Sequence, residues 1–103
     1  MADSLLQTLC TLRGISGNEE AVRDFIRTAV QECGECEETP LGGLLVYKKG
    51  RKRAKTRLLL DAHMDEVGLI VTRITDDGLL QFTPVGGIDP RVIVSKRVLV
   101  GEK

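Results

Sequence analysis

Apolar and polar positions divide the chain into two grammars. In the first third, Leu5, Leu6, Leu9, Cys10 and Leu12 recur at helical spacing, with Asp3 or Ser4 able to cap the start. A break follows at Arg13-Gly14-Ile15-Ser16-Gly17. Ser16 and Glu19 then have the spacing of a capping box, and Ala21, Val22, Phe25, Ile26, Ala29, Val30 and Cys33 form one apolar stripe of a second helix that Gly34 can terminate. From Glu35 onward, short β-branched or leucine-rich runs are punctuated by Gly, Pro and Asp, which predicts strands near 36–39, 44–49, 57–61, 67–75, 79–83 and 92–100. Asp76-Asp77-Gly78 reads as a hairpin turn because glycine tolerates the positive φ such loops need. Leu58-Leu59-Leu60, an apolar run ending in charged residues, suits a buried central strand.

Two helices followed by strands predict an α/β or α+β fold, with the two N-terminal helices packed on a mixed β-sheet. At 103 residues the chain has room for one domain, 1–103, without internal repeats. Its core, rich in Leu, Ile and Val but holding only two Phe and one Tyr, is expected to be marginal, and help from a partner surface is expected. The last residues follow an apolar run directly, without a closing helix or a polar tail, so the chain reads as an incomplete portion of a larger domain.

Charge narrows the choice of partner. Fifteen basic residues balance fifteen acidic ones, so no global field draws in nucleic acid or anionic lipid. No run approaches the roughly 18 apolar residues of a membrane span, and Met1-Ala2-Asp3-Ser4 lacks the features of a signal peptide. We therefore expect a cytoplasmic chain without a membrane partner. The odd cysteine count, Cys10, Cys33 and Cys36, argues for reduced thiols.

The chemistry-bearing segment is Asp61-Ala62-His63-Met64-Asp65-Glu66, directly after the Leu58–Leu60 run, where open α/β sheets hold their ligands. His63 is the only histidine. Imidazole is a good zinc ligand, and a ligating histidine is usually oriented through its other ring nitrogen by a carboxylate; Asp65 is the candidate. One histidine beside two acids is also a common solvated loop, and spacing alone does not choose between these readings.

A resemblance adds to this reading. Ala62-His63-Met64-Asp65-Glu66-Val67-Gly68, Val85-Gly86-Gly87-Ile88-Asp89-Pro90-Arg91 and Ser16-Gly17-Asn18-Glu19-Glu20-Ala21-Val22-Arg23 together resemble the glutamyl and deblocking aminopeptidases, dinuclear-zinc peptidases that assemble into tetrahedral dodecamers. The resemblance implies that His63 corresponds to the zinc ligand of the first motif and Asp65 to the acid that orients it. It implies two divalent metal ions, zinc or cobalt, which polarise the scissile carbonyl of a peptide substrate and activate a water, with a glutamate as general base. The base, the bridging aspartate and the second histidine of such enzymes belong to later sequence. The acids beyond Glu66 are Asp76, Asp77, Asp89 and Glu102, none in a ligand motif. The expectation is therefore an N-terminal segment of a metallo-aminopeptidase that binds no metal stably by itself, is inactive alone and self-associates. One departure falls at Pro40-Leu41-Gly42-Gly43, where the family more often has Leu-Gly-Asn; Gly43 lacks that side-chain hydrogen bond.

Two readings outside catalysis stand beside this one. The first is a non-catalytic short homologue acting as an interaction or structural protein. The second is a nucleic-acid-binding module using Lys48, Lys49, Arg51, Lys52, Arg53, Lys55 and Arg57 with Tyr47. A solvated connection that discourages edge pairing is the favoured reading of that basic run. Cys33-Gly34-Glu35-Cys36 is half of a zinc motif at a helix C-terminus, where thiolate is disfavoured, and is read as coincidence. Cys10 is read as core, and Gly86-Gly87 as a tight turn rather than a phosphate cradle.

Overall fold

The computed structural model describes residues 2–53 and 55–101. It contains two compact units, Met1–Glu66 and Val67–Lys103. The α/β class is as expected, and the strands form two antiparallel pairs supplemented by one isolated parallel bridge.

The first unit carries α1 (Ala2–Thr11), α2 (Glu20–Val30), β1 (Glu35–Glu38) and β2 (Leu44–Tyr47). Because α1 begins at Ala2, Ser4 lies inside the helix and does not cap it; the Asp3 side chain lies outside the described residues. Cys10 is exposed rather than core, as are Leu5 and Leu6, because this unit offers their stripe too little apolar surface to cover it. α2 turns Val22 inward, the one buried apolar side chain among the described residues at 6% exposure, and half-buries Phe25, Ile26 and Val30.

α2 ends at Val30, earlier than its apolar stripe predicts, and Cys33 closes a following turn by donating to the Val30 carbonyl. Gly34 therefore does not terminate the helix. It is required for a close approach instead: a Cβ there would lie 2.2 Å from the Tyr47 carbonyl oxygen on β2. β1 and β2 pair antiparallel, Glu35 opposite Tyr47 and Glu38 opposite Leu44.

Charge fastens α2 to the end of this hairpin. Arg23 and Arg27, one turn apart on α2, grip separate oxygens of the Glu38 carboxylate at 3.3 and 2.6 Å, and Arg23 Nη1 donates to the Gly42 carbonyl. The Thr39–Gly43 loop closes through Thr39 N to Gly43 O, while Gly43 N donates to Thr39 Oγ1. The Thr39 hydroxyl thus secures the loop at the position where Gly43 departs from the resembled pattern.

The second unit pairs β3 (Gly68–Ile74) with β4 (Leu80–Val85) around a bulge between Val71 and Arg73. The predicted turn forms: Thr75 N donates to Leu79 O, and Gly78 adopts a positive φ of 84°. Gly86, also at positive φ, passes so close to Val67 that a Cβ would lie 2.8 Å from its Cγ1, in keeping with a tight-turn role. α3 (Pro90–Ile93) stands where the strand predicted at 92–100 would begin. Asp89 caps it by accepting from Arg91 N, and Pro90 presets the first helical φ, so a local signal overrides the β-branched run.

The other predicted strand, 57–61, is also not formed. Leu58, Leu59 and Leu60 are 86%, 80% and 85% exposed and pair with no strand among the described residues. A parallel-sheet strand exists only by hydrogen bonding to neighbours, which its own residues cannot supply. Two separate globules of these sizes would together expose about 6,800 Å², whereas the chain exposes 9701 Å².

Two outcomes are expected. Gly34→Ala should lower the unfolding free energy measured in urea by about 3 kcal/mol, because the methyl meets backbone rather than a flexible side chain. Gly87→Ala, whose added Cβ meets nothing, should be close to neutral. In the second unit, the Arg91 guanidinium and backbone N–H hold the Asp89 carboxyl below the usual carboxylate range. A depressed folded value means stability present above the unfolded pKa and lost as pH falls through the folded one. Carboxyl ¹³C titration should place Asp89 below the ordinary aspartate range, and Arg91→Ala should raise it toward that range.

Candidate metal-ligand site

Residues 61–66 form no regular element, yet their end is held firmly. Glu66 N donates to Gly14 O at 2.7 Å, and Gly14 N donates back to Glu66 Oε1 at 3.1 Å. Together with the parallel bridge between Ile15 and Glu66, these bonds lay the α1–α2 connection alongside residues 64–66. Only glycine fits at position 14: a Cβ would lie 2.6 Å from Val22 Cγ2 and 3.4 Å from Met64 O. The core valine of α2 and the site segment thus meet across a single glycine.

The expected capping box does not form. α2 starts at Glu20 with Glu19 as N-cap and no side-chain cap bond, and Glu19 Oε1 accepts from Gly17 N instead. The Ser16 hydroxyl donates to Asp65 Oδ2, a partner 49 residues away. The hydroxyl thus donates to a distant carboxylate instead of accepting from the Glu19 backbone N–H as a capping box requires.

Asp65 turns its other oxygen to the histidine. Asp65 Oδ1 lies 3.1 Å and its backbone carbonyl 2.9 Å from His63 Nδ1. Both atoms accept only, so in the neutral imidazole Nδ1 carries the proton and Nε2 presents its lone pair. This is the arrangement a ligating histidine needs. The imidazole is 85% exposed, open to a ligand. The Ser16 hydrogen bond first, and the His63 contacts after it, hold the Asp65 carboxyl below the usual carboxylate range, so it stays an anionic acceptor near neutrality.

His63 therefore fits one ligand position. Among the described residues, no group of three or more His, Cys, Asp or Glu gathers to hold a metal ion. Cys33 is exposed and Cys36 half-buried with its thiol toward Gly34 O; both are free. The basic side chains of the 48–57 run are exposed, Ala54 lying outside the described residues. Reading along the chain places His63 and Asp65 together but misses Ser16, Gly14 and the Glu66 clasp. The one signal for them was the paired glycines Gly14 and Gly17, flanking Ser16 between two helices.

Comparison with known proteins bears on this segment. The family described as M42 glutamyl aminopeptidase matches residues 42–103. The chain is 36% identical over 93 residues to the glutamyl aminopeptidase of Lactococcus lactis subsp. cremoris, spanning 89% of this chain and 26% of that protein. An aminopeptidase from the archaeon Desulfurococcus kamchatkensis superposes with a TM-score of 0.80 at 31% identity, over 85% of this chain and 24% of the other. The TET1 peptidase of Pyrococcus horikoshii, which can assemble into a tetrahedron or a large octahedral shell, gives a TM-score of 0.72 at 40% identity, over 84% and 26%. The chain thus spans about a quarter of the length of these relatives.

The clasp generates its own expectation. Glu66→Ala should lower stability by about 1.5 kcal/mol, the lower end of the range for one hydrogen bond to a charged acceptor. Glu66→Gln, which retains an acceptor, should recover most of that in urea unfolding.

Proposed function

The chain belongs to the M42 glutamyl aminopeptidase family, and we propose that it supplies His63, oriented by Asp65, as one metal ligand of a dinuclear-zinc aminopeptidase that removes N-terminal residues from peptides. The observation that carries this reading is the engagement of His63 Nδ1 by Asp65, which leaves Nε2 to donate. Divalent metal bound in such a site acts as a Lewis acid on the scissile carbonyl and makes water nucleophilic.

The part played by this chain's residues is positioning. Asp65 holds the imidazole in one tautomer and strengthens its donation. Glu66, engaged with Gly14, anchors the segment, so its role is structural. The chain forms part of a single catalytic domain whose remaining ligands and general base lie in further sequence of the same enzyme. One histidine and one aspartate cannot fix two metals, which require several ligands at set geometry. The 103-residue chain is therefore inactive by itself. Its many exposed Leu, Val and Ile side chains support self-association, and the shell formed by the TET1 peptidase supports assembly of the whole enzyme.

An antibody to this chain identifies the endogenous polypeptide, expected to be several times heavier than 11.3 kDa. In that polypeptide His63→Ala should remove at least one metal per chain by elemental analysis and lower kcat/KM for peptide hydrolysis by about a thousandfold or more. Unchanged metal content and activity in His63→Ala would overturn the reading, as would metal-dependent peptide hydrolysis by the purified 103-residue chain.

A further inference from the structure

We propose that Ser16 is a positioning residue for the site: its hydroxyl fixes the Asp65 carboxylate, which in turn selects the metal-ready tautomer of His63. The inference deepens the reading above, and rests on it only for the identity of the metal.

A carboxylate has two oxygens, and Asp65 divides them. Oδ2 accepts from Ser16 Oγ, and Oδ1 faces His63 Nδ1. An aspartate side chain half open to water can rotate about χ1 and χ2, and each rotation away from His63 releases Nδ1–H to solvent, where the imidazole shifts toward its other tautomer. The Ser16 bond opposes that rotation by holding the carboxylate's other oxygen.

Ser16 can do this because its own place is determined independently of Asp65. It occupies the second position of a turn closed by Asn18 N donating to Ile15 O, with Gly17 next at φ 88°. That positive φ at the third position is the requirement of a type II turn, and glycine meets it without strain. At the first position of the turn Ile15 bridges Glu66, and Gly14 just before it exchanges two hydrogen bonds with Glu66. The hydroxyl is presented from a braced turn whose register against residues 64–66 is already set. Binding geometry prepared before the metal arrives reduces the ordering needed at binding.

Because His63 is the only histidine, its ring nitrogens can be read without ambiguity in the 103-residue chain. Long-range ¹H–¹⁵N spectra of the neutral ring should show His63 chiefly protonated at Nδ1. Ser16→Ala should reduce the Nδ1–H to Nε2–H ratio by about threefold or more, the effect of one lost hydrogen bond. Ser16→Thr, which keeps the hydroxyl, should restore it, with far-UV circular dichroism confirming that all three proteins are equally folded. A ratio unchanged in Ser16→Ala, or lowered equally in Ser16→Thr, would overturn the assignment. Zinc chloride titration of the same samples separates this inference from the metal reading. A zinc-induced shift at Nε2 with no tautomer change in Ser16→Ala defeats the role of Ser16 alone. A tautomer change without any zinc response at His63 upholds Ser16 and counts against the metal reading.

Discussion

The candidate site depends on the seam between Gly14–Ser16 and Met64–Glu66. Its requirement is steric: the α1–α2 connection can lie against the site segment only if residue 14 has no side chain, because the buried Val22 occupies the space a Cβ would take. Once that approach is allowed, the Gly14–Glu66 bonds set the register and Ser16 falls within reach of Asp65. A carboxylate that is exposed by its own location is thereby held in one orientation, and the histidine two residues before it inherits a defined tautomer. Small local freedoms are removed in sequence, from glycine to turn to hydroxyl to carboxylate to imidazole.

A second constraint holds the same unit together from the other side. Arg23 and Arg27 converge on Glu38, and Arg23, with its side chain only 12% exposed, also reaches the Gly42 carbonyl. Paired guanidinium groups on one carboxylate gain from partial burial and from sharing a rigid helix face, unlike isolated surface ion pairs. They bind α2 to the β1–β2 hairpin while Val22, on the same helix, presses on Gly14. The helix therefore connects the ion-pair network to the seam.

The exposed leucines and valines follow from the same economy of core. Leu58–Leu60 lead straight into Asp61 and the site, yet remain open. Their apolar character suits strand neighbours on both edges, and a strand is a property of a ladder rather than of a segment.

Reading along the chain was successful where the governing signal is local. The helical periodicity of α1 and α2, the Thr75–Leu79 turn with its positive-φ glycine, the β1–β2 and β3–β4 runs, and the adjacency of His63 and Asp65 all depend on residues a few positions apart. It failed where a distant partner or a competing local signal prevailed. Ser16 and Glu19 have the spacing of a capping box, but Asp65, 49 residues from Ser16, captured the hydroxyl. Gly34 has the look of a helix stop but serves a close approach to Tyr47. Val92 and Val94 look like strand, but the Asp89-Pro90 cap starts a helical turn at Pro90. The sequence by itself determined the helices, the hairpins and which residues carry the chemistry, because backbone propensity and turn chemistry act over short spans. Only the tertiary structure decided which oxygen Asp65 gives to His63 and which hydroxyl holds it there, because hydrogen bonds between residues far apart in the chain depend on how close the fold brings their backbones.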